Sequence, residues 1–311
     1  MLKQTIFAAA LSLAALSPVS AGQLGVYQSD SKGFDTRTYW YDDGREITIF
    51  DTQFVPALTE AMVAEIRKTS QNPISRVVVT HPNPDKFNGL SVLHKLGAVS
   101  IASKATADAM KGVHDYKEYF WVNIAKAFTK ETYPTFEPVK QTFEGQLVIK
   151  LASGETITLT QLKHSGVSST QTVARIDATG DLIVGDLIHY KSHAWLEGGI
   201  VDGAPKVDIP SWVAAVEELK ALGGKVVHGG RGDDAPVDAA IVDQQAYLKD
   251  IDALVVQYVK DLGPRASELK DPVKSAEHYK AIQAKAEATF PGRKLSYLIG
   301  YGVYGLVNSK L

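Results

Sequence analysis

The sequence predicts an α/β fold built mainly as one large domain, and three observations predict it. Short β-type runs recur along the chain, amphipathic helical stretches alternate with them, and polar residues stand directly after the buried runs. Bulk composition agrees: of 311 residues, 45% are hydrophobic and 22% charged, with 33 Lys and Arg against 35 Asp and Glu. A near-neutral chain of this kind excludes a generic nucleic-acid binder and a disordered chain. Cysteine is absent, so disulfides, thiolate ligands and a Cys nucleophile are excluded, and any metal site must use His, Asp, Glu or Asn.

The first 21 residues read as a cleaved signal peptide. Lys3 supplies the positive start, Thr5 to Leu16 is uncharged and mostly apolar, and Ser17-Pro18-Val19-Ser20-Ala21 is a small-residue cleavage site. The apolar run is too short for a bilayer, which needs about 20 residues. No later stretch is long and apolar enough to span one. The expectation is therefore a mature chain from Gly22, periplasmic or secreted, with no membrane span.

In the mature chain, Thr36 to Trp40 and Glu46 to Phe50 alternate around Asp42-Asp43-Gly44 as a hairpin. Pro56 to Ser70 is a helix entered through proline, with Leu58, Met62 and Ile66 on one stripe. Arg76 to Thr80 is a continuous apolar run, the pattern of a strand buried on both faces. A helix over Leu90 to Leu96, a strand over Ala98 to Ala102 and a short helix over Thr106 to Lys111 follow. Residues 112–145 are less periodic and rich in aromatics, and read either as a surface insertion packed by its own rings or as a helical lid or pocket wall, with the first slightly favoured. Gln146 to Leu151 pairs with Glu155 to Leu162, and Thr170 to Ile176 with Asp181 to Val184. The amphipathic helix Pro210 to Leu222 stops at Gly223-Gly224 before the strand Lys225 to Val227. Helices over Val237 to Leu262 and Ser275 to Phe290 and an apolar, glycine-interrupted tail complete the chain. The sequence leaves open whether that tail docks on its own body or on a neighbour, and with it the oligomeric state.

Candidate chemistry sits where buried runs end: Asp51-Thr52, His81 to Asp85, His164-Ser165, Gly185-Asp186 and His228 to Gly232. Taken singly, each is an ordinary turn. Their order resembles the metallo-β-lactamase fold superfamily, metal-dependent hydrolases with a four-layer αββα sandwich and one or two metals at the strand ends. Its Thr-His-x-His-x-Asp-His motif is similar to Thr80-His81-Pro82-Asn83-Pro84-Asp85-Lys86. Asp51-Thr52-Gln53 resembles its Asp-Thr-Gly, His164-Ser165 its third ligand segment, usually Gly-His-Ser or Gly-His-Thr, Leu182 to Asp186 the strand ending in the bridging Asp, and Gly229-Gly230-Arg231-Gly232 its Pro-Gly-His-Gly. The resemblance implies an αββα domain over 22–235, with 236–311 a helical extension packed on it.

The departures are chemical. Asn83, Lys86 and Arg231 stand where the family has His, and charged Lys and Arg offer a metal no lone pair. Asp85 and Asp186 against Lys86 and Arg231 balance two charges with two, so the expectation is a salt-bridge cluster in place of a second metal. His81, His164 and Asp186, with the Asn83 amide as a weak fourth donor, leave one divalent ion, zinc first, as an alternative. A shifted alignment would put His228 in the last ligand position. His193 and Trp195 are pocket candidates, while His94, His114 and His278 read as surface or helix-packing residues.

Two functions follow. In one, the protein has no dinuclear centre, uses no metal or one divalent ion, and binds an anionic small molecule or partner through the basic pair. In the other, it is a mononuclear zinc hydrolase of an ester, lactone, thioester or amide, with Asp85 as general base and Lys86 or Arg231 on the substrate anion or oxyanion. Ser165, Ser168 and Ser169 lack a nucleophile-elbow frame and read as turn residues.

Overall fold

The computed structural model describes residues 22–311, and the signal peptide read at 1–21 lies outside the described residues. A first six-stranded sheet runs in chain order: β1 (Gln23–Gln28), β2 (Arg37–Asp42), β3 (Ile47–Phe50), β4 (Ile74–Val78), β5 (Val99–Ser103) and β6 (Gln141–Phe143). Its first three strands pair antiparallel and the last four parallel. The parallel crossovers carry α1 (Pro56–Thr69), α2 (Pro84–Phe87), α3 (Leu90–Lys95) and α4 (Lys104–Tyr119).

The second sheet contains β7 (Gln146–Lys150), β8 (Thr156–Gln161), β9 (Thr172–Ile176), β10 (Asp181–Gly185), β13 (Val226–Gly229) and β14 (Ala235–Pro236), with β7 at one edge and β14 at the other. The small ribbon β11 (Gly199–Val201) and β12 (Ala204–Lys206) stands apart from both sheets. After it come α5 (Ile209–Glu218), α6 (Val237–Leu262), α7 (Lys274–Thr289) and α8 (Tyr297–Asn308).

Side-chain alternation makes the layers. In and after β4, Val77 and Val79 pack against Met62, Ile66, Leu90 and Met110 of the helical layer, while Val78 between them faces the second sheet with Phe50, Ile157, Ala174 and Ile183. That double burial is why the run is apolar without interruption. The outer face of the second sheet packs on α5, α6, α7 and α8 through Leu182, Val184, Trp212, Val216, Ile241, Leu248, Ile282 and Val303. The order is helices, sheet, sheet, helices.

Several elements were absent from the sequence reading, among them β6, α2, the β11–β12 ribbon and β14, and two differences bear on the layers. The edge strand β1 is a sixth strand that short, glycine-containing Gln23–Gln28 did not announce; Trp40 of β2 lies over Gly25, where a Cβ would collide with it. The short helix expected over 106–111 is α4, capped by Ser103 through the Thr106 N–H and continuing to Tyr119. Its buried stripe runs Thr106, Met110, Val113, His114 and Lys117, helically spaced but partly polar, which hid the period.

The tail docks on its own chain. In α8, a Cβ on Gly302 would meet the Leu196 amide nitrogen at 2.7 Å, and one on Gly305 would overlap the Glu197 carbonyl group, so the helix backbone lies directly on the 195–197 segment.

Candidate functional site

The C-terminal ends of the parallel strands in the two sheets converge on four buried charges. β4 runs through Thr80-His81 into Pro84, the first residue of α2, whose single turn carries Asp85 and Lys86; β10 ends at Asp186; and β13 runs through Gly229-Gly230 to Arg231. Lys86 Nζ lies 2.9 Å from Asp85 Oδ2 and 2.8 Å from Asp186 Oδ1. Arg231 closes the ring: one terminal nitrogen is 3.0 Å from Asp85 Oδ2 and the other bonds Asp186 Oδ2. Its remaining contacts fix the guanidinium, with Nε donating to the Phe34 carbonyl at 2.8 Å and a terminal nitrogen to Thr36 Oγ1 at 3.0 Å. Gly230 makes the closure possible, because a Cβ there would overlap Asp186 and lie 2.9 Å from Lys86 Nζ.

Charge balances within this quartet, and burial makes the pairing strong. Burial opposes ionisation of Asp186, but Arg231 and Lys86 outweigh it and hold the carboxyl well below the usual carboxylate range. Asp85 is likewise lowered against burial by Lys86 and Arg231, and Lys86 is raised against burial by Asp186 and Asp85. Beside the quartet, Asp51 accepts from the Thr80 backbone N–H and hydroxyl, both at 2.8 Å. The Thr80 hydroxyl hydrogen is then committed to Asp51, so its oxygen accepts from His81 Nδ1 at 2.9 Å. His81 Nε2 is buried and without a hydrogen-bond partner, 3.7 Å from Asp186 Oδ2. Burial pushes the Asp51 carboxyl up to about 6.

A narrow cleft opens onto the quartet, lined by Asp85, Asp186 and Arg231, by Asn83 and Pro84, and by Phe34, Phe54, Lys117, Trp121 and Trp195. Tyr301 of α8 stacks on Trp195, with ring planes 7° apart. Trp121, in a π-helical turn after α4, packs on Phe34 and Phe54, so the aromatic segment forms a wall of the cleft and is not packed by its own rings alone. A second buried ion pair, Lys117 with Glu197, borders the cleft, and Glu197 also accepts from Trp195 Nε1 at 2.9 Å and from Tyr304. Sequence reasoning missed Lys117, Glu197 and the ring cluster. The spacing of Lys117 from Val113 and Met110 was the one available signal for its burial.

Of the expected site residues, Asp85, Lys86, Asp186 and Arg231 come together, His81 stands beside them, and Asn83 and Trp195 line the cleft. Three do not join them. His164 is half-exposed, and Glu218 at the end of α5 takes its ring and backbone N–H outside the cleft, at 2.9 and 3.0 Å. His228 points to Asp181 (2.8 Å) and Asp234 (3.3 Å), because β13 pairs in register with β10 and sets its ring among residues away from Asp186; the shifted alignment therefore fails. His193 is buried against Tyr247 and Phe290, with its backbone held by the Lys294 carbonyl, and does not line the cleft.

The family model of the metallo-beta-lactamase superfamily matches residues 33–231. The chain belongs to that superfamily. Two solved structures similar to this superfamily member are a metallo-beta-lactamase from Pontibacter korlensis and the DIM-1 metallo-beta-lactamase exposed to ceftazidime. The first is 17% identical over 73% of this chain and all of that chain, with a TM-score of 0.54. The second is 19% identical over 75% of this chain and 99% of that chain, with a TM-score of 0.53. At these identities the likeness shows the fold.

The superfamily implies zinc, and the donors of this member do not fit it. Lys86 and Arg231 occupy both Asp186 oxygens, His164 lies elsewhere, and the unpartnered ring nitrogens nearby, His81 Nε2 and those of buried His189, belong to no three-donor group among the described residues. Three residues beyond His164, Gly166-Val167-Ser168 repeats the Gly-His-Ser frame with Val167 at its centre, buried in the apolar core. Among the described residues, the three-donor group with atoms within 4.8 Å of one another is His114, Asp115 and Glu118, on α4.

The buried histidines predict an acid-sensitive fold. Burial lowers His189 to about 3 and His193 to about 4. Below pH 6.5 the unfolded chain therefore binds protons that the folded one refuses, and stability falls as pH falls, by about 1.4 kcal/mol per pH unit for each such proton. Asp51, raised in the fold, acts in the opposite sense below about pH 6. The expected net loss between pH 7 and 5.5 is about 1–2 kcal/mol, read by urea unfolding at the two pH values. A flat or rising stability over that interval contradicts it.

Proposed function

We propose that this superfamily member is an exported protein whose strand-end site holds no metal and which binds a small ring-bearing molecule in the cleft beside the quartet. The observation that carries the reading is the closure of Asp85, Lys86, Asp186 and Arg231 on one another, where metal chemistry would need free ligands. Export rests on the pattern of residues 1–21. The sequence-based expectation of an anionic ligand drew on Lys86 and Arg231, and both are consumed by Asp85 and Asp186. The remaining cation of the cleft, Lys117, is held by Glu197. What the cleft offers a ligand is aromatic surface from Phe34, Phe54, Trp121 and Trp195 over a floor with no net charge.

Titrating the mature protein with 4-methylphenol and with 4-methylbenzoate, following tryptophan fluorescence, tests the reading. Saturable quenching by the phenol is expected with Kd of about 0.1–1 mM, an ordinary value for so small a ligand, and at least tenfold weaker binding of the benzoate. Tighter benzoate binding would restore the anionic reading. Failure of both to bind would contradict ring binding, and saturable ester hydrolysis abolished by a chelator would favour the mononuclear zinc hydrolase.

A further inference from the structure

His114 is buried, yet one of its ring nitrogens has nothing to bond. Its Nε2 lies 2.8 Å from the Pro134 carbonyl oxygen, which can only accept, so Nε2 carries a proton and Nδ1 is the ring nitrogen left for another partner. Nδ1 has no hydrogen-bond partner and lies 3.6 Å from Asp115 Oδ1. The ring cannot swing away: it is 4% exposed and packed edge-on between Tyr133 and Phe136, with centroids 5.3 and 5.4 Å away. One helical turn on from His114, Glu118 brings a carboxylate to the same place, and donor atoms of all three residues lie within 4.8 Å of one another.

A bare Nδ1 facing a carboxylate is an unfavourable contact that a cation between them, a proton or a metal ion, turns into two favourable ones. We propose that His114 Nδ1, Asp115 and Glu118 form a binding site for one divalent cation on the outer side of α4, independent of the cleft. An imidazole with two carboxylates selects a borderline ion such as zinc over calcium or magnesium. The Pro134 carbonyl supplies the orienting partner that metal-bound imidazoles ordinarily have on their other nitrogen. Three protein donors with water completing the shell fit zinc, whose ligand distances of about 2.0–2.2 Å need only small side-chain shifts here. Lys111, 2.5 and 2.6 Å from the two Asp115 oxygens, competes for that carboxylate and keeps the affinity moderate. A bound ion would tie α4 to the 133–136 segment.

The test is calorimetric titration of the chelator-treated mature protein with zinc chloride. One equivalent is expected, with Kd of about 1–100 μM. Asp115 and Glu118 are accessible, so Asp115→Asn and Glu118→Gln leave the fold intact by circular dichroism while each weakens binding at least tenfold. His81→Ala, beside the quartet, is expected to leave the zinc isotherm unchanged. No zinc uptake at millimolar zinc, or one equivalent that survives the Asp115→Asn/Glu118→Gln double change, would overturn the proposal.

Discussion

Replacing Asp186 with alanine is expected to destabilise the protein by about 3–5 kcal/mol, because it leaves two buried cations facing each other. Lys86 is fully buried and Arg231 nearly so, and each has Asp186 as one of its two carboxylate partners. With Asp186 gone, Asp85 alone faces Lys86 at 2.9 Å and Arg231 at 3.0 Å, and the site carries an uncompensated positive charge. The opposite result is expected when all four charges go together. Asp85→Asn/Lys86→Met/Asp186→Asn/Arg231→Met removes two positives and two negatives, and replacing a complete buried ion cluster is often neutral or stabilising by about 1–4 kcal/mol. Urea unfolding of the single and quadruple variants measures both. A single change that costs under 1 kcal/mol would show that the quartet does not hold the strand ends together.

Gly305→Ala is expected to cost about 3 kcal/mol or more, although it adds one methyl group. Adding bulk to a packed contact costs about 1–3 kcal/mol where side chains can yield, and here the obstacle is main chain: the Glu197 carbonyl occupies the space of the new Cβ. α8 must lift, and with it go Tyr301 from Trp195 and Tyr304 from Glu197. The expected signature is a lower melting temperature together with a red shift of tryptophan emission as Trp195 gains water. An unchanged melting temperature would mean that α8 does not rest on the 195–197 segment.

The α/β class was legible because β4 and the runs like it carry apolar residues on both faces, while the four-layer sandwich was implied by the resemblance in the order of the strand-end motifs. The quartet was legible for a related reason. Each of its members sits within a residue or two of the end of a recognisable strand, so order along the chain maps onto position at one edge of the two sheets. His164 was misplaced because the loop after β8 carries no such anchor: a histidine in the expected order was matched there, while the Gly-x-Ser frame lies three residues further on with Val167 at its centre. His193 failed similarly, since nothing in its local sequence tells that Tyr247, more than fifty residues later, will cover it. Lys117, Glu197 and Tyr304 are far apart in sequence and meet only through α4 and α8, so no local spacing could have joined them. His114 was read as a packing residue, and it does pack, but its tautomer and its bare nitrogen depend on Pro134, which only the folded chain brings near.

The central claim is that the strand-end cleft is closed to metal by its own charges. It is tested most directly by the zinc content of the Asp115→Asn/Glu118→Gln variant, in which the α4 donors are removed. The protein is purified without chelator or metal-affinity tag, incubated with excess zinc, desalted and analysed by mass spectrometry of the element. The account predicts no zinc above background. One equivalent per chain that disappears on further substitution of His81 by alanine would contradict it.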